Sequence, residues 1–369
     1  MGTRQGSVAV GMSGGVDSSV AAWLLQRDGW RVVGVTMSIW DGSLPIPDQG
    51  RAGCFGPGEA RELERAKAMA VRLGIEHRVI PLADAYRREV LDYFRAEYLA
   101  GRTPNPCARC NQRIKFERLP ELARAQGLAF DKFATGHYAR VQFDPALGRW
   151  QLRRGVDPDK DQSYFLARLG QNQLAQLVFP LGERRKEEVR AIARELGWGD
   201  LADQPESQDF IECDDYSVLF KPNAAPPGDF VNRAGQVLGW HRGIIHYTVG
   251  QRKGLNLGGG GTPWYVLEID AARNRIVVGP RQELYSRTLA AGDLNWISRS
   301  GPPAQPIRVA VQIRQRHRAA PATVSALGAD RLQAVFDEPQ LAVTPGQVAV
   351  VYDGDAVLVS GMIGKPDQI

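Results

Sequence analysis

An apolar run, Val8 to Gly11, gives way to the glycine- and serine-rich stretch GMSGGVDSS and at once to a helical pattern beginning near Asp17. Strand, tight loop and helix in immediate succession commit the start of the chain to an α/β fold, because a parallel sheet acquires its first crossover in that order. The runs Arg31 to Met37, His77 to Pro81 and Lys132 to Thr135 read as further strands. Between the second and third, ARELERAKAMAVRLG puts Leu63, Ala66, Ala70 and Leu73 on one face and stops at Gly74, the pattern of a helix covering a sheet. RRKEEVRAIARELG repeats the pattern and stops at Gly197.

Past the polar stretch GDLADQPESQD the texture changes to short β-rich runs, WYVLEID, RIVVG, IRVAVQIR, LQAVF and QVAVVY, without long helices. At 369 residues the chain exceeds one ordinary core. We expect a Rossmann-like α/β domain over 1–205, a small β-rich linking domain over 206–284 and a β-barrel over 285–369. Apolar residues at 43% and charged residues at 24% exclude a disordered chain. No run is long enough to cross a bilayer and no leader pattern opens the chain, so a soluble, cytoplasmic protein is expected. A net charge of +5 favours an anionic partner. The four cysteines are too few for a disulfide scaffold.

In open α/β sheets the carboxyl end of the first strand is where ligands bind, and there the loop Gly11, Met12, Ser13, Gly14, Gly15, Val16, Asp17, Ser18 falls. Glycines let backbone N–H groups approach an anion, serines add hydroxyl donors, and the helix N-terminus adds positive potential. No Gly-Lys-Ser/Thr follows, so this is not a Walker loop, and G-x-G-x-x-G is absent. A plain N-capped turn is the competing interpretation. A second motif, GRTPNPCARCNQRIKF over 101–116, holds Cys107 and Cys110 with Arg109, Arg113 and Lys115 close by. Positive neighbours lower a thiol pKa, which points to reactive sulfur, and a lone Cys-x-x-Cys is too little for structural zinc.

S-G-G-x-D-S is similar to the loop of the PP-loop ATP pyrophosphatase superfamily, which cleaves ATP between its α and β phosphates and adenylates a substrate oxygen. With it occur, in order, G-R-T-P-N-P, C-N-x-x-I-K-F, A-T-G-H-Y, K-D-Q-S-Y-F-L, F-P-L-G, HYTVGQRKGL and T-P-G-Q. Together they resemble the bacterial tRNA-specific 2-thiouridylases. The resemblance implies ATP-dependent 2-thiolation of the wobble uridine in tRNAs for Lys, Glu and Gln, with Mg²⁺, a sulfur donor such as a cysteine desulfurase or relay protein, and the three-domain layout. It implies residues 11–18, Met37 and Gly136 for ATP, with Asp17 at the metal and pyrophosphate. Cys110 would be the nucleophile. Asn105, Pro106, Cys107, His137, Lys160, Asp161, Gln162, Arg314, Gln315 and Gln347 would face tRNA.

Two departures touch the sulfur chemistry. Cys107 stands where the family has Asp, and Ile211 stands at the family's second cysteine, with Cys213 two residues later. Three arrangements stay open: Cys110 with Cys213 as persulfide carrier, Cys107 with Cys110 as the exchanging pair, or Cys107, Cys110 and Cys213 around an iron-sulfur cluster. Of these, the first is preferred. Cys54, in a glycine-rich loop, is given no part.

Overall fold

Five parallel strands organise the first half of the chain in this computed structural model, which describes residues 5–48, 53–204, 209–258 and 263–365. In chain order come β1 (Ser7–Gly11), α1 (Val16–Arg27), β2 (Arg31–Ser38), the short β3 (Gly53–Phe55), α2 (Glu59–Leu73), β4 (Glu76–Pro81) and β5 (Lys132–Thr135). The sheet runs β4, β2, β1, β5 and then Leu177–Val178. β1 is its centre, with Val8 opposite both Val32 and Lys132. Val8, Ala9 and Val10 are wholly buried, as a strand covered on both faces must be. Strand order reverses between β1 and β5, so the loop after β1 opens at the switch point of the sheet.

α2 ends where the sequence stops it, with Gly74 left-handed at φ 66. Its buried face carries Ala66, Met69 and Ala70, and also a carboxylate, Glu59. Glu59 accepts from Ser38 Oγ (2.8 Å), the Ile39 N–H (2.6 Å) and the Trp40 N–H (2.9 Å), tying off the free end of β2. Sequence periodicity did not reveal two features. A hairpin, Ala139–Asp144 with Arg149–Arg154, follows β5. Residues Asn111–Arg118 form a π-helix directly after the short helix Pro106–Cys110.

By packing, residues 1–90, 107–214 and 355–357 form one compact unit, and 91–106, 215–354 and 358–369 form another. The segment 91–106 therefore groups with the later residues, and the proposed boundary at 205 lies outside the described residues. The second unit holds a four-stranded sheet, Val237–His241, Gly228–Val231, Arg275–Gly279 and Tyr265–Asp270, around Phe230, Val266 and Ile276. Tyr285–Trp296, Leu332–Leu341, Ala320–Ala326, Ile307–Gln312, Val348–Asp353 and Ala356–Ile363 form a closed barrel. The first of these strands pairs with both the second and the last, which closes the ring. Among the described residues no helix is long and apolar enough to cross a membrane.

Candidate functional site

The loop after β1 is shaped by contacts that only glycine permits. Gly14 sits at φ 74, and a Cβ there would lie 2.7 Å from Arg65 Cβ and 2.8 Å from the Ala66 nitrogen. Gly136, just past β5, packs so closely on the first turn of α1 that a Cβ would fall 2.6 Å from the Asp17 carbonyl carbon and 2.7 Å from the Ser18 nitrogen. Ser18 Oγ accepts from the Ser13 N–H at 3.2 Å, and Ser19 Oγ donates to the Gly15 carbonyl at 2.8 Å. Met12 is buried and joined to β2 through its N–H on the Val35 carbonyl. Met37, on β2, is half-buried. Gly11, Gly15 and Val16 complete the turn from β1 into α1.

Asp17 differs from the expectation of an open metal ligand. Its carboxylate accepts from Lys186 Nζ at 2.8 Å on Oδ1 and 2.7 Å on Oδ2, and from the Tyr138 hydroxyl at 2.7 Å. Lys186 and Tyr138 are both buried. An ammonium already seated on both oxygens leaves no oxygen set of the kind Mg²⁺ takes, which is carboxylate and phosphate oxygens around a small ion. The loop residues alone therefore do not fit a protein-held metal ion. Among the described residues no group of three His, Cys, Asp or Glu side chains is arranged to hold one. The cluster arrangement of Cys107, Cys110 and Cys213 accordingly finds no support in the geometry.

The thiols gather elsewhere in the same unit. Cys110 is buried, and burial pushes its thiol up to about 12, with Lys115 pulling down and Cys54 pushing up. Cys107 is likewise raised to about 12 by burial, then by Cys54 and Cys110, against Lys115. The Cys54 thiol is raised by burial and lowered by the same lysine. Cys54 is thus a neighbour of the Cys-x-x-Cys pair. It stands on β3, which pairs in parallel with Asp209–Ile211, so Ile211 is buried in that ladder opposite Phe55. Cys213, two residues on, is half-buried, and no disulfide joins the four cysteines.

The cation that serves these thiols is Lys115 and not the arginines beside it. Arg109 donates to the Glu89 carbonyl and carboxylate, each at 3.0 Å, and Arg113 pairs with Glu117 at 3.2 Å. The π-helix explains the selection, because its i to i+5 repeat brings Lys115 back over Cys110, whereas an α-helix turns that position away. Burial lowers the Lys115 pKa, but Cys110, Cys54, Cys107 and Glu62 together raise it above its usual value. Burial thus outweighs the lysine at Cys107 and Cys110, whose pKa values are raised and not lowered as expected from sequence. Since each thiolate opposes the next, a single lysine supports one sulfur anion at a time. Glu62, nearby on α2, is raised to about 7 by burial, and the buried Asn111 Oδ1 has no donor among the described residues.

Residues 135–138 join the loop to the thiols. While Gly136 and Tyr138 touch the first turn of α1, His137 lies between the rings of Phe116 (5.5 Å) and Phe179 (5.9 Å). Its Nδ1 is 2.6 Å from Thr135 Oγ1. Burial, then Lys115, drives its pKa down to about 3, so at neutral pH it offers an uncharged imidazole. With the folded value below the unfolded value near 6.5, only the unfolded chain takes up this proton as pH falls from about 6.5 toward 3, and stability falls over that window. The slope from one such group is at most about 1.4 kcal/mol per pH unit. His137→Phe should flatten the loss of urea stability between about pH 7.5 and pH 5, whereas parallel curves would mean that the ring is not held neutral.

The remaining sequence candidates divide between internal and surface roles. Asp161 is saturated by Arg154 (2.7 Å), the Gly155 and Ser163 N–H groups (3.1 and 3.0 Å) and Ser163 Oγ (2.9 Å). Gln162 accepts from the Tyr138 N–H at 3.0 Å. These two position Tyr138 against Asp17, while Lys160 occupies the turn before them. Gln347 donates to the Thr103 and Pro104 carbonyls at 2.9 and 3.1 Å, fixing the turn that carries Asn105 and Pro106. Residues 314–318 form a turn. There Arg314 bonds the Leu341 carbonyl at 2.9 Å, while Gln315, Arg316 and Arg318 are exposed.

Three family models match the chain in succession. One described as a tRNA methyl transferase HUP domain matches residues 6–213, a tRNA methyl transferase PRC-barrel domain matches 218–280, and an aminomethyltransferase beta-barrel domain matches 286–363. A HUP domain with an intact glycine-serine loop at the switch point, followed by two β modules, is the class that this fold and site define. Curated relatives named tRNA-specific 2-thiouridylase MnmA share 45% identity in Carboxydothermus hydrogenoformans, over 97% of both chains, and 44% in Endomicrobium trichonymphae, over 96% of this chain and 98% of the relative. Identity is also 44% to the protein of that name from Trichormus variabilis, over 96% of this chain and 98% of the relative. The chain belongs to the MnmA family.

Proposed function

We propose that the protein is an ATP-dependent tRNA 2-thiouridylase acting on the wobble uridine of tRNAs for Lys, Glu and Gln, laid out as a catalytic domain over 1–205, a linking domain over 206–284 and a barrel over 285–369. The observation that carries the proposal is residues 135–138, which touch the nucleotide loop through Gly136 and Tyr138 and lie beside the thiol-facing Lys115 through His137. Activation and sulfur transfer on one base need that adjacency. In the reaction, uracil O2 attacks the α-phosphorus of ATP and pyrophosphate leaves, with the loop N–H groups and the α1 N-terminus facing the charge that develops. The terminal sulfur of a Cys213 persulfide then bonds to C2 as AMP departs. Cys110 thiolate, paired with Lys115, attacks the inner sulfur, giving thiouridine and a disulfide that an external dithiol reduces. A desulfurase or sulfur-relay protein would recharge Cys213.

The name methyl transferase in the family descriptions suggests a second reaction class. Methyl transfer requires neither an ATP pyrophosphatase loop nor clustered thiols, and so the cysteines favour sulfur. Comparing tRNA from a strain lacking the gene with its parent decides between them, since the proposal predicts loss of 2-thiouridine derivatives at the wobble position and retention of methylated nucleosides. The reverse pattern would exclude thiolation.

The 314–318 turn supplies cations for tRNA phosphates. Arg316→Ala with Arg318→Ala should weaken tRNA binding and flatten its log-log salt dependence by roughly 0.7 to 0.9 for each phosphate that is no longer neutralised. Arg314, which holds the Leu341 carbonyl, should show more of its effect in stability. Filter binding across a salt series measures the slope, and an unchanged slope would mean that the turn is only solvated.

A further inference from the structure

Asn111 begins the π-helix directly after Cys110, inside the motif C-N-x-x-I-K-F. It is only 4% exposed. Its Nδ2 faces the Phe165 carbonyl at 3.4 Å, and because a carbonyl can only accept, that contact fixes which end of the amide carries the oxygen. Oδ1 has no donor among the described residues. Acceptors elsewhere in the same helix are satisfied, since Gln173 Nε2 donates to the Gln112 and Phe116 carbonyls at 2.8 and 3.2 Å. A buried acceptor without a donor destabilises a fold, so its presence here points beyond the resting chain.

Asn111 also stands on the bonded route between the thiols and the nucleotide loop. Cys110 precedes it in the chain, while Phe165 donates its N–H to the Gln162 carbonyl at 3.1 Å, Gln162 accepts from the Tyr138 N–H, and Tyr138 bonds Asp17. We propose that Asn111 Oδ1 reads the target base, accepting the N3–H of a uracil turned into the site. The inference deepens the thiouridylase reading above and rests on it. Uracil carries one donor on its pairing edge, N3–H, between the O2 that is activated and O4, so an acceptor placed there identifies the base. Cytosine presents an unprotonated N3 instead, and two acceptors face to face repel. The same bond serves the chemistry. As O2 bonds to the α-phosphorus and pyrophosphate leaves, the ring loses electron density and N3–H becomes a stronger donor. The proton stays on nitrogen, and Oδ1 stabilises the positive ring until sulfur bonds to C2 and AMP departs.

Single-turnover pyrophosphate release by the full-length protein tests this apart from sulfur delivery, using tRNA with uridine, N3-methyluridine or cytidine at the wobble position. The wild type should react with uridine, and at least about tenfold more slowly with either of the others. Asn111→Ala should slow the uridine reaction by about 10- to 100-fold, in the maximal rate more than in tRNA affinity. It should also shrink the N3-methyl penalty to less than about threefold, because the methyl group then fills the space that the amide left. Asn111→Asp keeps an acceptor and should keep the penalty, which provides the test if the alanine variant does not fold. An N3-methyl penalty unchanged in Asn111→Ala, a penalty lost in Asn111→Asp, or N3-methyluridine reacting at the uridine rate with the wild type would confine Asn111 to the interior and overturn the proposal. A wild-type protein that releases no pyrophosphate with uridine would overturn the thiouridylase reading, and this inference with it.

Discussion

Cys110→Ser should lower tRNA thiolation by at least about 10³-fold with a persulfide-forming sulfur donor, because a hydroxyl in that place cannot cleave the disulfide that joins the base to Cys213. ATP binding and pyrophosphate release should persist, since the nucleotide loop is untouched. The resting thiol, raised to about 12, adds a second expectation. Without Lys115 the thiolate loses the ammonium that favours it, so Lys115→Met should slow alkylation of Cys110 by iodoacetamide and reduce thiolation as well. The other cysteines sort the relay. Cys213→Ser that stops turnover, yet is rescued by free sulfide, marks Cys213 as the carrier; the same phenotype in Cys107→Ser or Cys54→Ser would move the exchanging thiol into the cluster around Lys115. Thiolation by Cys110→Ser at the wild-type rate would remove Cys110 from the reaction.

Asp17→Asn should cut pyrophosphate release by roughly 10² or more while leaving ATP affinity within a few-fold. The amide keeps the shape but loses the charge, and Lys186, buried with the Tyr138 ring on one side, is left without its carboxylate. Removing one partner of such a pair costs up to about 3 to 5 kcal/mol, reduced here because the Asp17 side chain is 29% exposed. A lowered melting temperature should therefore accompany the catalytic loss. A direct metal ligand would behave differently: ATP affinity measured in Mg²⁺ would fall along with the rate, and stability would hardly change. Release at the wild-type rate would deny Asp17 any part in activation.

What could be read from sequence was what repeats or what a glycine enforces. β1, the glycine-serine loop, α1, and the helix stops at Gly74 and Gly197 follow from local periodicity and from left-handed backbone that glycine adopts freely. The barrel strands were visible for the same reason. The π-helix left no trace, because a shift from i+4 to i+5 hydrogen bonding changes no residue type, and so the choice of Lys115 over Arg109 and Arg113 could not be made in advance. Cys54 and Lys186 were missed because their partners are distant in the chain and no short motif contains both. The charged hairpin at 139–154 is rich in arginine, and its alternation is masked by cations whose partner is far off, as Asp355 is for Arg153, 202 residues away.

If one site spends ATP to put sulfur on a tRNA base, the two products must appear in a fixed ratio. Purified protein incubated with unmodified tRNA, α-labelled ATP, a cysteine desulfurase with sulfur-labelled cysteine as persulfide source, and a dithiol reductant measures AMP formed and sulfur incorporated in a single sample. Equal amounts of AMP and sulfur are expected, with the sulfur recovered as 2-thiouridine at the wobble position and both products abolished by omitting ATP. Sulfur incorporated without AMP, or AMP formed in step with tRNA while the wobble uridine keeps its oxygen, would contradict the coupling of the nucleotide loop to the thiols.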